Sequence, residues 1–368
     1  MKSFSEVSIS KVNLLHNLKQ FRKIVGRTQI MAVVKSNAYG HGVDLVSEAI
    51  KDSVDWFATV NLDEALHLRK LGIKKPILVL SYYDLNSVSE AIKQNISLVV
   101  YDLKQTQSIS KAAKKLKTIA NIHLKVDTGT SRLGINPVQV ALFIHKILNL
   151  PNLKIQGVFS HFAASEEDIE FTKKQNHLFN SAIEELEWRG VHPIKHIACT
   201  AAGIVVPNSQ HDLVRLGIGL YGLWPSLEAK KRAKFELKPV LSWHTRIIQI
   251  KSFSKGSYVG YGMTYQTKRE TKLAVLPVGY FDGYDRKLSN SGEVLIAGKR
   301  CKLLGRVCMN LIMVDVTDVK KVKVGDEAIL IGRQGKEEIT ADELAKKIGT
   351  INYEVVARIN SLVERVLR

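Results

Sequence analysis

The sequence predicts an α/β protein: an N-terminal (β/α)8 TIM-type barrel over residues 1–232, followed by a mainly β domain over 233–368. Three observations carry this. Short β-branched apolar runs alternate eight times with amphipathic helical stretches across the first two-thirds of the chain. Around residues 230–238 that helical periodicity fades, and short strands between Gly turns replace it. A length of 368 residues also suits one large barrel plus a smaller domain.

The barrel strands are expected at 30–35, 56–60, 77–81, 98–101, 122–126, 155–160, 194–198 and 213–220. Helices are expected between them, among others at 12–25, 44–51, 63–71 and 169–188. In the first of these, Val12, Leu15, Leu18, Phe21 and Val25 recur at three- and four-residue spacing, which gives one apolar face. A doubly wound open sheet also alternates β and α, but the count of eight favours closure into a barrel. In the second domain, strands are expected at 241–250, 273–278, 293–296, 301–307, 310–316 and 327–331. Turns at Ala297-Gly298-Lys299 and Val324-Gly325-Asp326 fit hairpins.

Composition removes several classes of function. A hydrophobic fraction of 45% excludes disorder as the main state. No apolar run approaches the roughly 20 residues that cross a bilayer, and the N-terminus lacks the apolar core of a secretory signal. A cytoplasmic protein with no membrane partner is expected. Cys199, Cys301 and Cys308 lack CxxC spacing, which argues against a disulfide framework or zinc ribbon. His41, His177, His192, His196 and His211 lack metal-ligand spacing and read as turn or core residues, so no metal is expected. The net charge of +19 raises nucleic acid as a partner. The basic runs at 111–117, 230–234 and 320–323 are short, lie in helix- or turn-like stretches, and read as solvated faces. No nucleic-acid partner is expected.

In a (β/α)8 enzyme, reactive residues come from the C-terminal ends of the strands and the loops that follow. The first strand ends in Lys35. Near the barrel mouth a desolvated Lys loses proton affinity and becomes a Schiff-base nucleophile, although a strand-end Lys can also simply snorkel to water. The fifth strand ends in Lys125 and leads to Arg132, and the sixth ends in Ser160-His161. The seventh runs into Cys199-Thr200, and the eighth carries Arg215 followed by Gly217-Ile218-Gly219. Loops after strands seven and eight commonly bind phosphate in such barrels. An anchoring Lys, a phosphate cradle and an Arg to face a heteroaromatic nitrogen are together what a pyridoxal 5′-phosphate site requires.

At these residues the chain resembles the alanine racemases among fold-type III pyridoxal-phosphate enzymes, over essentially its whole length. The resemblance rests on Ala32-Val-Val-Lys35-Ser-Asn-Ala-Tyr39-Gly, Leu124-Lys125-Val-Asp-Thr-Gly-Thr-Ser-Arg132 and Ser160-His161-Phe-Ala. It continues through Val214-Arg215-Leu-Gly-Ile-Gly, Val259-Gly-Tyr261-Gly, Pro277-Val-Gly-Tyr280, Gly305-Arg306-Val-Cys-Met309 and Ile351-Asn-Tyr353.

The resemblance implies a cytoplasmic homodimer with shared active sites that interconverts L- and D-alanine and supplies D-alanine for peptidoglycan. Lys35 would hold the cofactor and act as one base, with Tyr261 of the partner subunit as the other. Arg215 would face the pyridine nitrogen, with His161 beside it. Tyr39, Thr200, Gly217, Ile218 and Tyr353 would bind the phosphate. Arg132 and the backbone at Met309 would take the substrate carboxylate, Lys125 would be carbamylated, and Tyr280, Arg286 and Arg306 would line the access channel.

Free Lys and Tyr have pKa values of about 10.4 and about 10, a reasonable match for two bases working in either direction. Three positions depart from the family pattern. Asn310 stands where Asp is common, and Cys199-Thr200 replaces an Asn-Ser pair. These changes bear on substrate range, so racemisation of serine, lysine or several amino acids is the alternative. A fold-type III decarboxylase fits less well, because Arg215 stands where those enzymes use a carboxylate. A non-catalytic pyridoxal-phosphate carrier would lack the β domain and Tyr261.

Overall fold

The structure, a computed structural model, describes residues 4–368. The chain divides into two compact units. One comprises Asn13–Ser36 and Val46–Lys238; the other gathers the stretch up to Val12, Asn37–Leu45 and Pro239–Arg368. Among the described residues no helix is long and apolar enough to cross a membrane.

The first strand, β1 (Ser5–Ile9), belongs to the second unit. The barrel unit follows with β2 (Gln29–Val33), β3 (Trp56–Thr59), β4 (Ile77–Val79), β5 (Ile96–Val100), β6 (Ala120–Lys125), β7 (Leu153–Phe159), β8 (Ile194–His196) and β9 (Leu213–Leu216). These eight run parallel in the order β8-β7-β6-β5-β4-β3-β2-β9. Single hydrogen bonds from Asp212 N to Lys195 O and from Arg215 N to Ala198 O join the two ends and bring the sheet to near closure. Strands such as β3 and β5 are buried at every residue, which is why they read as unbroken apolar runs. Helices between them carry conventional caps: Asn61 caps Leu62–Lys70, and Asp168 caps Ile169–Trp188.

The eighth barrel strand is shorter than the expected 213–220. It stops at Leu216, and the chain turns through Gly217 into a 3-10 turn, Ile218–Tyr221. The physical reason is that the amides of Gly217 and Gly219 leave the ladder and donate to Thr200 Oγ1.

The second unit is mainly β. Its strands are β10 (Leu241–Arg246), β11 (Gln249–Phe253), β12 (Tyr258–Val259), β13 (Tyr265–Gln266), β14 (Thr271–Leu276), β15 (Glu293–Ile296), β16 (Lys299–Lys302), β17 (Ile312–Asp315), β18 (Glu327–Gln334), β19 (Glu337–Ile339) and β20 (Glu364–Leu367). The main sheet runs β16-β15-β18-β10-β1-β20, and a second sheet runs β11-β14-β17. The expected 241–250 strand is thus two, β10 and β11, in different sheets. Strand β1 lies antiparallel to β10 and parallel to β20. Trp243 anchors this core, with its indole N–H donating to Ser5 Oγ and its ring meeting Tyr284 edge-on. Two helices, Ala341–Ile348 and Asn352–Ala357, complete the unit.

Candidate active site

The site is built from the C-terminal ends of the barrel strands. Lys35 opens a five-residue turn, Lys35–Tyr39, directly after β2. Ser36, Asn37, Ala38 and Tyr39 all have φ between 53 and 55°, so the turn is a left-handed helix made without glycine. Such backbone costs about 1–2 kcal/mol per residue, and specific hydrogen bonds hold it. The Ser36 amide donates to Glu64 Oε1 at 2.6 Å, and the Val43 amide donates to Asn37 Oδ1 at 2.8 Å. Burial lowers the pKa of Lys35, and Arg132 lowers it further against the opposing pull of Glu64.

Arg215, on β9, is 5% exposed and, among the described residues, pairs with no carboxylate. Its Nη1 donates to His196 Nδ1 at 2.8 Å and to His196 O at 2.9 Å. Its Nη2 donates to Ser160 O, His161 Nδ1 and Ile197 O. Among the described residues, none accepts a hydrogen bond from its Nε. Burial lowers the pKa of Arg215, yet a guanidinium remains charged at neutral pH.

Because a guanidinium only donates, His161 and His196 must each accept at Nδ1 and carry their proton on Nε2. His196 Nε2 then donates to His123 Nδ1 at 3.0 Å, which leaves the His123 proton on Nε2. That atom is buried and has no hydrogen-bond partner among the described residues. Burial, assisted by Arg215, keeps all three rings neutral. His123 is pushed down to about 3, and His161 and His196 lie well below the usual histidine value.

Lys125, the last residue of β6, is 6% exposed, with its ammonium 5.5 Å from the Phe159 ring centroid. Burial first, then Arg132 and Arg215, push its pKa down to about 8. Arg132 sits on the turn that follows. Asp127 shapes that turn by accepting from the amides of Gly129, Thr130 and Ser131 through Oδ1 and of Arg132 through Oδ2. Burial would raise the Asp127 pKa, but these donors outweigh it and the net shift is downward.

Thr200 opens the helix after β8, and its hydroxyl gathers the amides of Gly217, at 3.0 Å, and Gly219, at 3.4 Å. A Cβ at Gly219 would lie 2.6 Å from both Phe21 Cζ and Thr200 Cγ2, so only glycine lets the backbone come this close. This turn of small residues and converging amides suits a phosphate. With the free Nε–H of Arg215, and with Arg132 and Arg215 in no carboxylate ion pair among the described residues, the donor set fits an anionic pyridine cofactor.

In the second unit, Tyr39 and Tyr353 face each other with ring centroids 6.2 Å apart. Tyr261 stands in a 3-10 turn between β12 and β13, flanked by Gly260 (φ 73°) and Gly262 (φ 71°), and is 72% exposed. The guanidinium of Arg306 packs under that turn, 2.9 Å from where a Gly262 Cβ would be. Met309 O and Cys308 O accept from the Phe281 and Tyr280 amides, which brings Tyr280 to Met309. Tyr280 and Arg286 line a pocket of about 380 Å3 with Asp285 and Arg358; Arg306 does not line it.

Sequence reasoning placed His196 among turn or core residues. It is buried, but it also bonds Arg215 and stacks on Phe159 at 4.8 Å. His123, Glu64 and Asp127 do not stand out in the sequence alone. The signal available for His123 and Asp127 was a polar side chain inside or just past an apolar strand.

The chain is similar to known proteins over nearly its whole length. Residues 9–225 match the family described as "Alanine racemase, N-terminal domain", and residues 240–367 match "Alanine racemase, C-terminal domain". "Alanine racemase 2" of Caldanaerobacter subterraneus subsp. tengcongensis is 39% identical over 98% of this chain and 94% of its own. The alanine racemase of Methanococcus maripaludis is 40% identical over 99% and 98%. Among solved structures, alanine racemase from Clostridium difficile 630 superposes with a TM-score of 0.95 at 35% identity, covering 100% of this chain and 96% of its own.

Proposed function

The chain belongs to the alanine racemase family and is an amino-acid racemase that interconverts L- and D-alanine; on that premise we propose how its own residues do the work. Pyridoxal phosphate, when bound, withdraws electrons from the amino acid and makes its α-proton removable. Lys35 is its covalent anchor. Thr200, Gly217, Ile218, Tyr39 and Tyr353 hold its phosphate, and Arg215 presents Nε–H to its ring nitrogen. Because Arg215 would not surrender that proton, it would keep the ring's electron withdrawal moderate and favour reprotonation at the α-carbon.

Two bases serve the two faces of the substrate: Lys35 Nζ on one and the phenolic oxygen of Tyr261 of the partner subunit on the other. Burial, with the neighbouring Arg132, favours the neutral amine of Lys35. The Nε2–H of His161 is the donor that stabilises the phenolate, because Nδ1 is committed to Arg215. Arg132 and the backbone at Met309 orient the substrate carboxylate. Lys125, as its carbamate, orients Arg132, while Tyr280, Arg286 and Arg306 line the way in. The homodimer is supported by exposed apolar side chains on the second unit, among them Tyr258 (55%), Tyr261 (72%), Met263 (65%), Met309 (55%) and Ile351 (61%). The setting we assign is cytoplasmic, with D-alanine supplied to peptidoglycan.

The observation that carries the cofactor reading is the buried, carboxylate-free Arg215 with an unused Nε–H beside a phosphate-shaped turn. The test is purified protein with L-alanine, and separately L-serine and L-lysine, in deuterated water. Deuterium at the α-carbon and appearance of the D-enantiomer are expected with alanine; neither product with any substrate refutes the reading. Lys35→Ala should lose the borohydride-fixable chromophore. Tyr261→Phe should keep the chromophore and lose racemisation.

A further inference from the structure

A left-handed turn of four non-glycine residues does not persist unless its surroundings over-determine it, and its far end is gripped by the last strand of the chain. We infer that Arg365 is a positioning residue for racemisation: by seizing the carbonyl of Gly40 it locks the strained turn that begins at Lys35. This inference rests on Lys35 being the cofactor-bearing lysine.

Arg365, on β20, is half-buried, and among the described residues its hydrogen bonds run to carbonyl oxygens and to no carboxylate. Nε and Nη2 both donate to Gly40 O, at 3.2 and 3.1 Å, across 325 residues of sequence. Nη2 also donates to Ile359 O at 2.8 Å, and Nη1 to Asn360 O and Val363 O. Burial lowers its pKa.

The fit on the other side of Gly40 is equally close. Gly40 has φ +82°, and a Cβ there would lie 2.1 Å from Val356 O; a Cβ on Gly42 would lie 3.3 Å from Arg365 Cγ. Residues 40–42 are thus folded around the Arg365 stem, while the His41 and Gly42 amides turn back to Ala38 O and Asn37 O. A guanidinium serving only to tie off the C-terminus could satisfy itself on residues 359–363. Spending two donors on Gly40 O ties that nest to the turn of Lys35 and Tyr39.

The test compares Arg365→Met, which keeps the stem and removes the donors, with Arg365→Lys, in the holoenzyme. Arg365→Met should keep its circular dichroism and oligomeric state. Its cofactor should dissociate about tenfold more readily, the scale of one charge-assisted hydrogen bond. The kcat should fall while KM for alanine stays within about twofold, because Arg132 and Met309 are not on the turn. Arg365→Lys should recover part of the loss. A folded Arg365→Met with unchanged cofactor affinity and kcat overturns the inference.

Should both variants fail to fold, hydrogen exchange on the unmodified holoenzyme decides. The amides of His41, Gly42 and Val43 should exchange as slowly as those of β20, and rapid exchange there overturns the inference. A Lys35→Ala protein that keeps its chromophore refutes the cofactor assignment instead, while leaving that protection pattern intact.

Discussion

Lys125 is the position where burial makes the most quantitative demand. In cofactor-free protein kept free of CO2 it is a lysine 6% exposed, with a pKa of about 8 against the ordinary 10.5. At about 1.4 kcal/mol for each tenfold change in proton affinity, that gap amounts to about 3 kcal/mol. The folded pKa is depressed, so between pH 8 and 10.5 the unfolded chain holds the extra proton and stability rises with pH. Below pH 8 the full cost of burying the charge is present; above pH 10.5 it is gone.

Lys125→Met keeps the apolar stem against Phe159 and removes the charge. The variant should therefore be about 3 kcal/mol more stable than the parent at pH 7, and the advantage should shrink toward nothing by about pH 11. Lys35 titrates in both proteins and largely cancels in the difference. Urea midpoints at constant m, taken every half pH unit, measure it. Added bicarbonate should collapse the difference at pH 7 to 8, since a carbamate beside Arg132 and Arg215 turns repulsion into attraction. A difference that stays flat from pH 7 to 11 would refute the reasoning, because it would mean that Lys125 keeps its water.

Gly157→Ala would put a methyl 2.2 Å from His123 Nδ1; a loss of about 1–3 kcal/mol is expected, read as a lower melting temperature. Nitrogen NMR should show the Nε2–H tautomers of His123 and His196 in the parent and their disturbance in the variant. Thr200→Val keeps the shape but removes the acceptor of the Gly217 and Gly219 amides. Cofactor affinity should fall about tenfold in a reconstitution titration, with Lys35 still fixed by borohydride.

Much of the barrel is legible along the chain because its strands are buried on both faces and therefore read as β-branched runs between amphipathic helices. Lys35 and Arg215 stand out because a charge inside such a run must be satisfied by a ligand or a partner. The left-handed turn is not legible. Ser36, Asn37, Ala38 and Tyr39 include no glycine, and the contacts that help to hold that backbone come from elsewhere in the chain, among them Glu64 and, far along the sequence, Arg365. The relay from Arg215 through His196 to His123 is equally silent, because its members lie 19 and 73 residues apart.

The sequence by itself determined the β/α repeat and the change to a β domain and pointed to the candidate reactive side chains, all of which are written in local periodicity, residue type and motif. Tertiary structure decided that β1 joins the second unit's sheet, that β9 stops at Leu216, which histidines stay neutral around Arg215, and that the last strand grips the turn of Lys35. Those outcomes depend on which distant strands pair, and pairing is settled by burial and hydrogen-bond closure over the whole sheet rather than by any short stretch of chain.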